Sequence, residues 1–258
     1  MELGLGSKIV LITGGSKGIG LACAQGFAAE GARIAICARG QEGIDAALAE
    51  LPGAIGVAAD LTDAEAAGAM VREVEVRLGA IDVLVNSAGA ARRSPPDELT
   101  PEFYRAAMDA KFFAYVNVID PLVKLMAARG SGVIINVIGA GGKIASPVHL
   151  AGGAANAALM LVTAGLGTTY AGQGVRVVGI SPGLTETGRV AEGMLSDARL
   201  SGITPEEARA RAIARIPLGR MAAPEEIANT AVFLASAKAN YITGITLTMD
   251  GASSPVIL

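Results

Sequence analysis

The sequence predicts one doubly wound α/β domain, a parallel sheet with helices on both faces, and three observations carry that prediction. Short apolar runs rich in β-branched residues alternate with longer helical runs along the whole chain. Those apolar runs are continuous rather than alternating, as expected of strands covered on both faces. The first of them, residues 8–13, leads directly into a Gly-rich turn and an Ala-rich helical run. With 258 residues, 52% hydrophobic and 17% charged, the chain can bury one large core, so 1–258 is read as a single domain.

Residues 8–13 (KIVLIT) form the first expected strand, 20–30 a helix, and 33–37 (RIAIC) the second strand. Further strands are expected at 54–58, 83–86, 133–137, 175–180 and 246–249, all short and apolar. Helical patterns fill 64–77, 101–129, 152–173 and 224–236. Right-handed crossovers between parallel strands then give the doubly wound arrangement. The segment 184–217 breaks the rhythm, being charged and helical in composition. It follows a strand's C-terminal end, where open α/β sheets bind ligands, and is expected to be a substrate lid.

A net charge of −3 without a basic cluster gives no reason to expect nucleic acid as a partner. Cys23 and Cys37 stand in no metal-ligand or redox spacing, so no metal is expected and both read as reduced core thiols. The N-terminus lacks a basic region followed by an apolar one, and no apolar run is expected to span a bilayer. A cytoplasmic protein with no membrane partner is the expectation.

The turn after the first strand reads Thr13-Gly14-Gly15-Ser16-Lys17-Gly18-Ile19-Gly20. It is either a tight strand–helix connection or a cradle for a pyrophosphate at a helix N-terminus. Its T-G-x-x-x-G-x-G spacing resembles that of the short-chain dehydrogenase/reductase family. Further motifs extend the resemblance nearly end to end. They are Asp60-Leu61, Asn86-Ser87-Ala88-Gly89, the stretch from Ser181 through Pro182 and Gly183 to Thr187, Leu218-Gly219-Arg220, the helix start at Pro224, and Asp250-Gly251. The resemblance implies a Rossmann-type fold, a nicotinamide dinucleotide cofactor, and cofactor contacts from Gly14, Ser16, Lys17, Gly18, Ile19, Gly20, Asp60, Leu61, Asn86, Ala88, Gly89, Pro182, Gly183 and Thr187. It also implies a homotetramer built from the two long helices and the last strand.

Charge argues for the cofactor's identity. A carboxylate after the second strand would suit the ribose 2′-hydroxyl of NAD, whereas Arg39 stands there with Lys17 in the loop. A guanidinium and an ammonium suit a 2′-phosphate, so NADP(H) is expected over NAD(H).

Family members carry a catalytic Tyr-x-x-x-Lys pair, an earlier Ser and an Asn on the preceding long helix. Counting back from Gly183, the resemblance puts the lysine position at Asn156 and the tyrosine position at Gly152. The Ser position falls at Gly139 and the Asn position at Lys111. No tyrosine lies between Tyr115 and Tyr170 to restore the pair. His149, the one histidine, is either a general acid or base or a polar loop residue with no chemical task. Lys111 either replaces the lost lysine against the nicotinamide ribose or is an unrelated surface lysine. Ser146 and Lys143 on the same loop are weaker candidates. Three functions stay open: an NADP(H)-dependent oxidoreductase with altered proton chemistry acting on a small molecule, a non-catalytic nucleotide-binding relative, or a lyase or isomerase using His149.

Overall fold

The computed structural model describes residues 2–89 and 93–254. Each expected strand forms: β1 Ile9–Thr13, β2 Arg33–Ala38, β3 Ile55–Ala58, β4 Val83–Asn86, β5 Gly132–Val137, β6 Val175–Pro182 and β7 Thr246–Met249. They make one parallel sheet in the order β3-β2-β1-β4-β5-β6-β7. The order reverses between β1 and β4, and this switch point is where open α/β sheets leave a crevice for ligands.

Helices cover both faces because the strands are apolar on both. Val10, Ile12 and Val85 pack with α1 (Gly18–Ala29), α2 (Gln41–Ala49) and α9 (Pro224–Ala235) on one side. Leu11, Leu84 and Ile134 pack on the other with α3 (Ala64–Leu78), α5 (Ala114–Ala128) and α6 (Leu150–Tyr170). Each fully buried Leu or Ile contributes about 1.5–3 kcal/mol relative to exposure. Cys23 and Cys37 are buried free thiols, and burial pushes each up to about 12, so both stay protonated.

A polar seam crosses this core. The register sets Thr13 beside Asn86 and Asn86 beside Asn136. Thr13 Oγ1 donates to Asn86 Oδ1 at 3.2 Å, Asn86 Nδ2 to Asn136 Oδ1 at 3.1 Å, and Asn136 Nδ2 to Thr163 Oγ1 on α6 at 3.0 Å. All four side chains are buried. The seam locks together the C-terminal ends of the strands that flank the crevice.

Three expectations are corrected. The helix α2 was not expected, since only Ile44 and Ala47 mark its buried face. The run expected as one helix over 101–129 is three pieces: α4 (Pro101–Ala107), a π-helical turn (Met108–Phe113) and α5. Such turns accommodate one extra residue and re-aim the side chains on them. Finally, the segment Pro147–Gln173 is long and apolar enough to cross a bilayer, with mean hydropathy 1.5. Its Ala, Leu, Val and Met content raises that value, and α6 lies against β6 with Ala151, Ala155, Leu159 and Thr163 buried. One face of it packs on the sheet, while Leu161 on the other stays exposed.

Residues 184–217 fold into α7 (Gly188–Ser201) and α8 (Pro205–Ile213), as their composition suggested. A small apolar cluster of Met194, Ile216 and Met221 holds them, apart from the main cores. Thr204 and Glu207 form a reciprocal cap at the start of α8.

Candidate active site

The turn after β1 is shaped for close backbone approach. Gly14 has φ +67°, and a Cβ there would stand 2.8 Å from Ala88 Cα. Gly20 abuts the Gly14 carbonyl so closely that any side chain would displace the turn. The Gly14 and Gly15 amides are spent on Cys37 O, at 2.8 and 3.3 Å. The N-cap of α1 is Lys17, which makes no side-chain capping bond, and the first turn holds no acid. Helix N-terminal amides without a capping side chain, facing a crevice, suit a pyrophosphate. The residues present therefore fit a dinucleotide.

Ser16, Gly18 and Ile19 are half-buried around this turn, and Lys17 and Arg39 are exposed beside it. Arg39 lies close enough to Asp60 to favour its carboxylate. The stronger causes of that carboxyl's lowered pKa are the Thr62 amide and hydroxyl, donating at 3.0 and 2.8 Å. Leu61 is buried next to it. On the other side of the crevice, Asn86 is committed to the polar seam, while Ala88 and Gly89 form the rim. Pro182 ends β6, and Gly183 donates to Met249 O at 2.9 Å. Thr187 caps α7 and brings its methyl within 3.3 Å of where a Gly18 Cβ would be, so the P-G segment meets the Gly-rich turn. A cavity of about 270 Å³ opens beside it, lined by Thr187, Met194, Arg209 and Met221 among others.

Lys111 is not a surface lysine; that reading is overturned. It sits in the π turn, 9% exposed, with Nζ donating to Tyr115 Oη at 2.7 Å and to Val137 O at 3.1 Å. Burial, with the Arg189 charge added, brings its amine down to about 7. Arg189, from the start of α7, donates to Gly89 O at 3.0 Å. Gly89 in turn packs on the Ala110–Lys111 backbone.

Asn156 is buried on α6, its Nδ2 3.0 Å from where a Gly139 Cβ would lie. Its Oδ1 has no hydrogen-bond partner among the described residues, and neither has the buried His149 Nδ1. His149 precedes α6 with its ring 3.1 Å from where a Gly141 Cβ would be. Burial first, then the Arg93 and Lys111 charges, lower its pKa, so the imidazole is neutral at pH 7. Gly152 is buried in the first turn of α6. Lys111, Gly139, His149 and Asn156 thus gather near the end of β5. Lys143 does not join them: its Nζ is tied to Thr246 O and Thr248 Oγ1 on β7. Ser146 offers its carbonyl to the His149 amide at 2.9 Å.

Sequence reasoning missed Tyr115 and Arg189. A tyrosine one turn after an unexpected lysine, on a helix face otherwise apolar, was the available signal for the first. Arg189 carried none, because its partners are distant in the chain.

Comparison with known proteins bears on the family and the fold. Residues 14–253 match the profile described as enoyl-(acyl carrier protein) reductase. The chain is 33% identical to the 3alpha-hydroxysteroid dehydrogenase of Mediterraneibacter gnavus, covering 98% of this chain and 99% of that one. It is 36% identical to the D-threitol dehydrogenase of Mycolicibacterium smegmatis, over 96% and 93% of the two chains. Among solved structures, a variant actinorhodin polyketide ketoreductase with NADPH superposes with a TM-score of 0.94 at 31% identity, covering 97% of this chain and 98% of that one.

Proposed function

We infer the function of this chain from its family: it belongs to the short-chain dehydrogenases/reductases, and we read it as an NADP(H)-dependent oxidoreductase of carbonyl or alcohol substrates. The observation that carries the reading is the uncapped Gly-rich N-terminus of α1, with Lys17 and Arg39 exposed beside it. The likeness to a ketoreductase solved with NADPH supports the same cofactor. When bound, NADPH supplies a hydride to a carbonyl carbon. This chain's residues must hold the dinucleotide, orient the carbonyl and deliver one proton to its oxygen.

In our reading Gly139, Gly152, Asn156 and Lys111 stand at the four positions the family uses for catalysis, so the usual tyrosine acid is gone. At neutral pH the His149 imidazole is uncharged, whereas the Lys111 amine, at about 7, is present in both forms. A group poised near the working pH can give a proton and take it back, so Lys111 is assigned that role, with His149 beside it. Residues 184–217 act as the lid, and the protein works as a cytoplasmic homo-oligomer.

Calorimetric titration tests the cofactor assignment. NADPH is expected to bind more tightly than NADH, and Arg39→Ala to weaken NADPH by about 10–100-fold, the worth of a charged hydrogen bond, with little change for NADH. Equal losses would refute the 2′-phosphate contact, and no binding of either cofactor would remove the whole reading. A carbonyl panel with NADPH, run with wild type, Lys111→Met and His149→Ala, then tests the proton assignment. Glycine at 139 and 152 favours one second reading, a nucleotide-binding relative without turnover; tight NADPH binding with no carbonyl reduced would select it.

A further inference from the structure

Tyr115 is a fully buried phenol in a cluster of mainly aliphatic side chains. Burying a hydroxyl there is unfavourable unless both its donor and acceptor capacities are used. Both are: Oη donates to Val137 O at 2.7 Å and accepts from Lys111 Nζ at 2.7 Å. The same Nζ reaches Val137 O at 3.1 Å and stands 4.3 Å from the Tyr115 ring centroid. The amine is therefore fixed on two sides, by a carbonyl at the end of β5 and by one face and the hydroxyl of the phenol. Neither acceptor of Nζ is a carboxylate, so the phenol oxygen, at the shorter distance, and the Val137 carbonyl are its local supports as an ammonium.

We propose that Tyr115 is a positioning residue for Lys111, whose hydroxyl holds the amine at the end of β5 and sets the pH range in which it exchanges a proton with the reacting oxygen. This rests on the assignment of Lys111 above. In the reductive direction the carbonyl carbon accepts the cofactor's hydride and the oxygen accepts one Lys111 proton. The amine is left neutral, still donating to Tyr115, and solvent reprotonates it. The Arg189 charge acts on both Lys111 and Tyr115, and the Lys111 and Arg93 charges act on His149; Asp109 shares the π turn, and α4 and α5 carry Glu102, Arg105, Asp120 and Lys124 in exposed ion pairs. Burial and Arg189 hold the Lys111 amine down, and the Tyr115 oxygen opposes them by accepting from the ammonium.

The test reads Lys111 directly. The chain has six lysines, so ¹³Cε-lysine labelling gives six resonances, and Lys111→Met identifies the one that matters. Lys111 is expected to titrate near pH 7 in the wild type. In Tyr115→Phe, which keeps the ring and removes the acceptor, the midpoint should fall by about 1 pH unit. If that variant does not fold, 3-fluorotyrosine at position 115 keeps the shape, weakens the oxygen as an acceptor, and should move the midpoint the same way by less. An unchanged midpoint, with only a lower melting temperature, overturns the proposal and leaves Tyr115 a packing residue. On any carbonyl reduced with NADPH, the pH profile of kcat should shift with the midpoint while KM changes little. Should no carbonyl be reduced, the oxidoreductase reading fails while the lysine titration still decides the pair.

Discussion

Lys111 concentrates the tension between stability and use in this fold. Its amine titrates near 7 in the folded chain and at about 10.4 in an unfolded one. Between those values the unfolded state binds the extra proton, so stability rises with pH across that window. Below pH 7 both states are protonated and the full penalty of a buried ammonium is felt. Lys111→Met is therefore expected to stabilise the protein at pH 6–7, by about 2–4 kcal/mol once lost hydrogen bonds are allowed for, with the gain fading toward pH 10. Urea unfolding at several pH values measures it; a gain that does not vary with pH would rule out this account. That Lys111 was unusual could be read from the sequence, because the resemblance implies a different residue at its position. That it was buried could not, because burial depends on the π turn and on Val137 and Tyr115 lying opposite.

Among the elements, the strands were the most legible, since a continuous β-branched run has few alternatives in a chain of this length. The helices were less so. A period of 3.6 cannot show a π turn, and α2 buries too few residues to leave a pattern. The polar seam was also hidden: Thr13, Asn86, Asn136 and Thr163 look unrelated until the register lines them up. Its removal has a definite expectation. Asn136→Ala leaves the Asn86 amide and the Thr163 hydroxyl without their bonds in the core, which should destabilise the protein by about 2–4 kcal/mol in urea unfolding. Dinucleotide affinity should fall as well, because Thr13 Oγ1 also accepts from the Ser87 and Ala88 amides at the crevice rim. A loss below about 0.5 kcal/mol would show that the seam is dispensable.

At the scale of the whole molecule, apolar residues remain uncovered on the elements expected to meet other copies. Leu161 on α6 is 75% exposed, and Leu125 on α5 and Leu247 on β7 are exposed too. If the proposed tetramer forms through them, Leu161→Glu should yield smaller species in size-exclusion chromatography with light scattering, and a monomeric wild type would contradict the assembly. The doubly wound plan was legible because the alternation of runs implies a parallel sheet and the Gly-rich turn after the first strand selects an open, doubly wound one. The seam gives that plan a consequence for biogenesis. Thr13 is held by a relay that ends at Thr163, so a nascent chain completes the hydrogen bonds beneath its Gly-rich turn only once α6 has left the ribosome. Dinucleotide affinity then appears late in synthesis, as a mark that most of the sheet is in place. A dinucleotide that binds only the finished turn would then stabilise the completed fold by mass action and not the shorter chains.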